Sequence, residues 1–163
     1  MERILLLKED DITKLTNISF NVDIDKITPF IYMAQKTKLK PLLGSELYEA
    51  IMTEFDEDTL AGDNLELYND YIVDYLVYYT AYYFWSFGIY QLDNAGAYRT
   101  SVDNSEGLEE EAVIRVAKMW EQQAESVRIQ LVKFLESKES LEESNSANYA
   151  PNFNWYFRRG GCR

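Results

Sequence analysis

Two carboxylate pairs stand one helical turn apart, Asp70 with Asp74 and Glu121 with Glu125. Acidic groups so spaced are what an oxygen-liganded divalent cation needs, provided the pairs converge inside a fold. Spacing alone makes them solvated helix faces. The chain contains no histidine, which removes the commonest general base and the commonest metal ligand together. A ferritin-like di-metal centre, which needs Glu-x-x-His on two helices, cannot be assembled. Cys162 lies near Arg159 and Arg163, a setting for a reactive thiol. As the single cysteine, however, it forms neither an intrachain disulfide nor a thiolate cluster, and one residue from the end it has no oriented base. No Walker loop, G-x-G-x-x-G or G-x-S-x-G is present, and Gly160-Gly161 is too short to cradle a phosphate. The expectation is a protein that is not an enzyme and carries neither cofactor nor metal.

The bulk properties agree with that reading. At 163 residues, 47% hydrophobic and 27% charged, the chain predicts one domain with a real core. Its net charge of -12 argues against tight nucleic-acid binding, which rests on Lys and Arg neutralising phosphates, but it lets DNA pass nearby without sticking. Thirteen Tyr, eight Phe and three Trp exceed what a core of this size needs, so aromatic contact surface is expected. The cysteine usage fits a reducing cytoplasm. No secretory leader is expected, because Ile4-Leu5-Leu6-Leu7 is short and runs into Lys8-Glu9-Asp10-Asp11. Nor is a membrane span, because Asp74 and many tyrosine hydroxyls interrupt the most apolar stretch, Tyr71 to Tyr90.

The elements that must position these residues follow from period and punctuation. The first twenty-odd residues read as extended or irregular, with Ile4 to Leu7 a short strand or docking arm. A helix then opens at Asp23 or Asp25. It tolerates Pro29 only near its first turn, buries Ile27, Phe30, Ile31 and Ala34, and ends before Pro41. Gly44 supplies a turn, and Ser45 caps a second helix with Leu47, Tyr48 and Ile51. Asp56-Glu57-Asp58 begins a solvated loop. From Leu65 to about Phe87 runs a helix with Leu65, Tyr68, Ile72, Tyr75, Leu76, Tyr79 and Tyr83 on one stripe and Tyr71, Tyr78, Tyr82 and Trp85 on the other. A helix apolar almost all round is buried on several sides or sits at a subunit interface. Asp93-Asn94-Ala95-Gly96 breaks it, and the polar segment to Gly107 has room for a small hairpin. The last helix begins at Leu108, places Val113, Val116, Trp120, Ala124, Val127, Leu131 and Leu135 on one face, and gives way to linker composition beyond about Ser137.

After Glu143 there are no acidic residues, while Phe153, Trp155, Tyr156, Phe157, Arg158 and Arg159 crowd one short stretch. These are interface-anchoring types. Three readings stand: the tail folds back on its own acidic body, docks on a partner and orders as it binds, or has no role. The whole predicts an all-α, four-helix-type bundle (23–143) with an extended N-terminal arm (1–22) and a C-terminal linker and docking tail (144–163).

Asp23-x-Asp25-Lys26-Ile27, then Ala34-Gln35, then Leu42-Leu43-Gly44-x-x-Leu47-Tyr48, followed by the tyrosine-rich helix and the long final helix, resemble the head-tail connector or adaptor proteins of tailed bacteriophages. The likeness spans about residues 1 to 140 and is greatest to versions from phages of Bacteroides-type hosts. It implies a virion protein made in the host cytoplasm and placed at the head-tail junction. There it forms a ring of about twelve copies beneath the portal protein, contacts tail or further connector proteins, and extends the channel through which genomic DNA passes. It also implies portal docking by Phe153, Trp155, Tyr156, Phe157, Arg158 and Arg159, and ring contacts by Tyr71, Tyr78, Tyr82 and Trp85. A negative lumen would repel the DNA backbone and let the genome slide. The extended aromatic tail departs from many relatives. Two competing readings stand: a cytosolic, protein-binding helical adaptor that forms no ring, and a carboxylate-metal enzyme.

Overall fold

A helix that is apolar on nearly every side obliges the rest of the chain to pack around it. The computed structural model describes residues 4–18, 23–88, 90–93, 96–99 and 110–145. Among them are helices α1 (Glu9–Leu15), α2 (Ile24–Ala34), α3 (Lys40–Leu43), α4 (Ser45–Asp56), α5 (Gly62–Leu67), α6 (Val73–Tyr83) and α7 (Glu110–Asn145). Single π-helical turns at Gln35–Leu39, Tyr68–Ile72 and Phe84–Gly88 fuse these into two longer rods, one running from Ile24 to Leu43 and the other from Gly62 to Gly88. The only strands among the described residues form an antiparallel hairpin, β1 (Tyr90–Asp93) with β2 (Gly96–Arg99), in which Tyr90 faces Arg99 and Asp93 faces Gly96.

The class is all-α, as expected. The arrangement is centred on α6, which packs along α7 and also against α2 and α1, while α4 leans mainly on α3. Leu76, Val77 and Ala81 of α6 are fully enclosed, and Ile27, Ile31, Ile51, Ala124 and Leu131 close the core around it. The second rod runs antiparallel to α7: Lys138 Nζ reaches Asp63 at 2.8 Å and Glu66 at 3.3 Å, Tyr71 meets the Phe134 ring, and Tyr79 meets Glu125.

Several boundaries differ from the sequence reading, each for a local reason. The first rod passes Pro41 and ends at Leu43. The π-helical turn sends the Lys40 N–H to the Gln35 carbonyl, five residues back, and so resets the ladder just before the residue that has no donor. Pro29 lies inside α2, past its first turn. Gly44, at φ +78° and ψ 164°, caps α4, and Ser45 is its first helical residue with no side-chain cap. Leu65 is exposed although it shares a stripe with buried tyrosines. The final helix continues past Ser137 to Asn145.

Residues 9–15 are helical where an irregular segment was expected. Lys14 pairs with Asp10 one turn away, Asp11 accepts from the Lys8 N–H, and Ile12 is fully buried. Seven residues with one core contact are too few to show a period. The segment before α1 is irregular, with a bend at Leu6, and its side chains Leu6 and Leu7 belong to the core. Its backbone is held by two side chains. The Leu6 N–H donates to Gln35 Oε1 at 3.0 Å, Gln35 Nε2 donates to the Ile4 carbonyl at 3.3 Å, and Tyr68 Oη donates to the Leu6 carbonyl at 2.8 Å. Burial, with Asp11 nearby, pushes the Tyr68 phenol up to about 12, which keeps it a donor. Gln35 and Tyr68 are each the first residue of a π-helical turn, a feature that re-aims side chains.

Candidate functional site

The second rod and α7 carry both carboxylate pairs and the four candidate ring-contact aromatics. Tyr79 Oη donates to Glu125 Oε1 at 2.5 Å, and Glu125 Oε2 accepts from Arg128 Nε at 2.6 Å. Lys38 Nζ lies 4.5 Å from the centre of the Tyr79 ring, and Tyr83 Oη shares a 2.9 Å hydrogen bond with Thr37 Oγ1. The Tyr79 hydrogen bond, then Arg128 by hydrogen bond and charge, hold the Glu125 carboxyl below its ordinary range. Burial, that same hydrogen bond and neighbouring charge push the Tyr79 phenol up. A carboxylate kept ionised by a neutral phenol and a guanidinium is here an ion pair within α7 that the Tyr79 phenol ties to α6, with a donor on each oxygen.

The two carboxylate pairs do not converge. In the antiparallel register Asp70 and Asp74 lie toward the Phe134 end of α7, whereas Glu121 lies beside Tyr82 at the opposite end. Burial, and then Asp70, raise the Asp74 carboxyl above its ordinary range. Among the described residues no group of three or more Asp, Glu, Cys or His could hold a metal ion. No helix among them is long and apolar enough to cross a membrane.

The four candidate contact aromatics have different fates. Tyr71 packs on Phe134, with ring centroids 5.0 Å apart, and Tyr78 stacks on Trp120 at 5.7 Å, so both serve the contact of the second rod with α7 within the chain. Tyr82 and Trp85 instead line an open pocket of about 200 Å³ between the end of the second rod and the start of α7. Val113, Ile114 and Ala117 form its other wall, with Ser86, Lys118 and Glu121 completing the lining. Ile114 is 46% exposed there; Phe87, which is stacked on Tyr83 and is not on the lining, is 54% exposed. Phe153, Trp155, Tyr156, Phe157, Arg158, Arg159, Cys162 and the Gly160-Gly161 pair lie outside the described residues, as do Asn94 and the stretch from 100 to 109.

With the geometry in view, a family model described as a family of unknown function (DUF6712) matches residues 39–152. The chain belongs to this family. No curated protein and no solved structure matches it. The part matched to DUF6712 takes in α4, the second rod, the hairpin and α7, and therefore both walls of the pocket. Sequence reasoning missed the pocket because Ile114 and Ala117 fall on no aromatic pattern. It also missed the Gln35 amide, whose partners are main-chain groups some thirty residues away. The pairing of Glu125 with Arg128 was legible at i, i+3; its third member, Tyr79, was not.

Proposed function

We propose that the chain is a structural subunit of a phage head-tail adaptor, a ring of copies below the portal that extends the DNA channel, with no chemistry of its own. The observation that carries this reading is the open pocket lined by the half-buried Tyr82 and Trp85 and the half-exposed Ile114 on a chain whose sequence resembles such adaptors. Contact surface of this type, left over after α6 has packed on three neighbours, is what a protein that works by assembly retains. The net charge of -12 supports a channel wall that does not trap DNA. The Tyr79–Glu125–Arg128 cluster, with its hydrogen-bonding groups engaged inside the chain, supports a structural and not a reactive role for the best-placed ionisable residues.

Electron microscopy of the chain mixed with its cognate portal tests the proposal. The expected image is a closed ring stacked coaxially on the portal. Portal particles without an added ring, at protein concentrations that saturate any other measured partner, would remove the adaptor reading and leave the cytosolic adaptor without ring assembly.

A further inference from the structure

We infer that the pocket between the end of the second rod and the start of α7 receives the C-terminal aromatic stretch, Phe153 to Phe157, of a second copy of this chain. The inference goes beyond the adaptor reading and does not depend on it, since it concerns only what one copy offers another.

The pocket is suited to one aromatic side chain. Its volume of about 200 Å³ exceeds the roughly 150 Å³ in which an apolar cavity lodges a benzene ring. Its walls are Tyr82 and Trp85 on one side and Val113, Ile114 and Ala117 on the other, faces that suit edge-on or offset ring packing. Glu121 on the lining supplies a carboxylate, and the Trp85 ring supplies a π face, for an arginine that follows the buried ring. Lys118 also lies on the lining and repels an arginine, so the basic end of the stretch gains only where it sits beside Glu121.

The occupant follows from charge and reach. The chain as a whole carries -12, yet its last twenty residues hold Arg158, Arg159 and Arg163 and no acidic side chain. The tail is thus attracted to bodies like its own. It reaches its own pocket poorly. At 1.5 Å per residue, Asn145 lies about 42 Å along α7 from Ala117. At about 3.4 Å per extended residue, Phe153 and Trp155 travel only about 27 and 34 Å back from Asn145. Phe157 would arrive only with every intervening residue fully stretched. A neighbouring copy imposes no such limit. The resulting contact is heterologous, tail of one copy to pocket of the next, and so propagates into a closed ring or an open chain.

Sedimentation velocity on the full chain tests this with two variants that damage opposite halves of the contact. Ile114→Arg puts a cation at a half-exposed position in the pocket; the combined Phe153→Ser, Trp155→Ser, Tyr156→Ser and Phe157→Ser change removes the rings. Wild-type protein should associate with rising concentration. Each variant alone should need at least tenfold more protein to do so. A one-to-one mixture of the two should form a species of twice the monomer mass and nothing larger, because it holds one intact tail and one intact pocket. A synthetic peptide of residues 150–163 should dissolve the wild-type assemblies, a readout that stands even if Ile114→Arg fails to fold. Wild-type protein that stays monomeric, variants that associate like wild type, or a peptide without effect would overturn the inference. A ring-substituted tail that loses portal binding while self-association is unchanged would also overturn it, and would assign the tail to the portal. Coaxial rings on the portal remain a separate observation, so either idea can fail without the other.

Discussion

Gln35 is fully enclosed, and its amide serves the backbone on both sides of Leu5, accepting from the Leu6 N–H and donating to the Ile4 carbonyl. Replacing it with leucine keeps the volume but strands both main-chain groups away from water. Gln35→Leu should cost about 1–3 kcal/mol, read as a lower urea midpoint at unchanged slope, with faster amide exchange at Leu6. The Glu125 carboxyl is the residue whose pH response is set by geometry. Its folded form is held ionised by Tyr79 and Arg128, so its contribution is present above the ordinary glutamate pKa and is lost as pH falls through the depressed folded value. Tyr79→Phe removes the first cause. The drop in urea midpoint between neutral pH and about pH 3 should therefore be smaller in the variant than in wild type. The carboxylate is 44% exposed, so water and salt keep the difference modest, and 1 M salt should shrink it further.

At the scale of elements, two positions fix joins between helices. Gly44 joins α3 to α4 with φ +78° and ψ 164°, a conformation that a side chain makes costly although open space surrounds it. Gly44→Ala should destabilise by about 1–3 kcal/mol through backbone strain alone, measured by thermal or urea unfolding. Trp120 stacks on Tyr78 and is 9% exposed, and it ties the middle of α6 to α7. Trp120→Ala should cost about 3–5 kcal/mol, with near-ultraviolet circular dichroism losing aromatic signal before far-ultraviolet helicity falls. The heptad-like face of α7 and the all-round apolarity of α6 were legible beforehand, because each repeats over many turns. The π-helical turns were not. An inserted residue leaves no compositional mark, and its effect, carrying the first rod past Pro41 and aiming Gln35 and Tyr68 at the N-terminal segment, is a matter of backbone registration.

For the whole molecule, charge and surface predict behaviour that no single contact does. A chain of net charge -12 should leave the mobility of a duplex unchanged in a gel shift at micromolar protein and about 0.1 M salt, because there is no counterion release to drive binding. A retarded band that fades as salt rises would contradict that expectation and with it the channel-wall rationale for the acidity. The α6-centred packing leaves the pocket end of the molecule, around Trp85 and Ile114, as its open aromatic surface. Assembly through that end should protect Ile114 and Ala117 amides from exchange only at concentrations where the chain associates.

Composition and period by themselves determined the all-α class and the buried stripes of α2 and α7, and left the aromatic helix either central or at a subunit interface. The missing histidine, lone cysteine and absent phosphate loops set the expectation of no chemistry. These are local or repetitive properties, written in residue type and spacing. Only the tertiary structure decided that Leu6 and Leu7 are core and not arm, and that Tyr71 and Tyr78 face α7 while Tyr82 and Trp85 line the pocket. It also decided that Asp70 and Asp74 lie apart from Glu121. Each of those depends on which helix arrives against which face and in what register. That choice is made by the summed packing of α6 against α7, α2 and α1, which no short stretch of the chain contains.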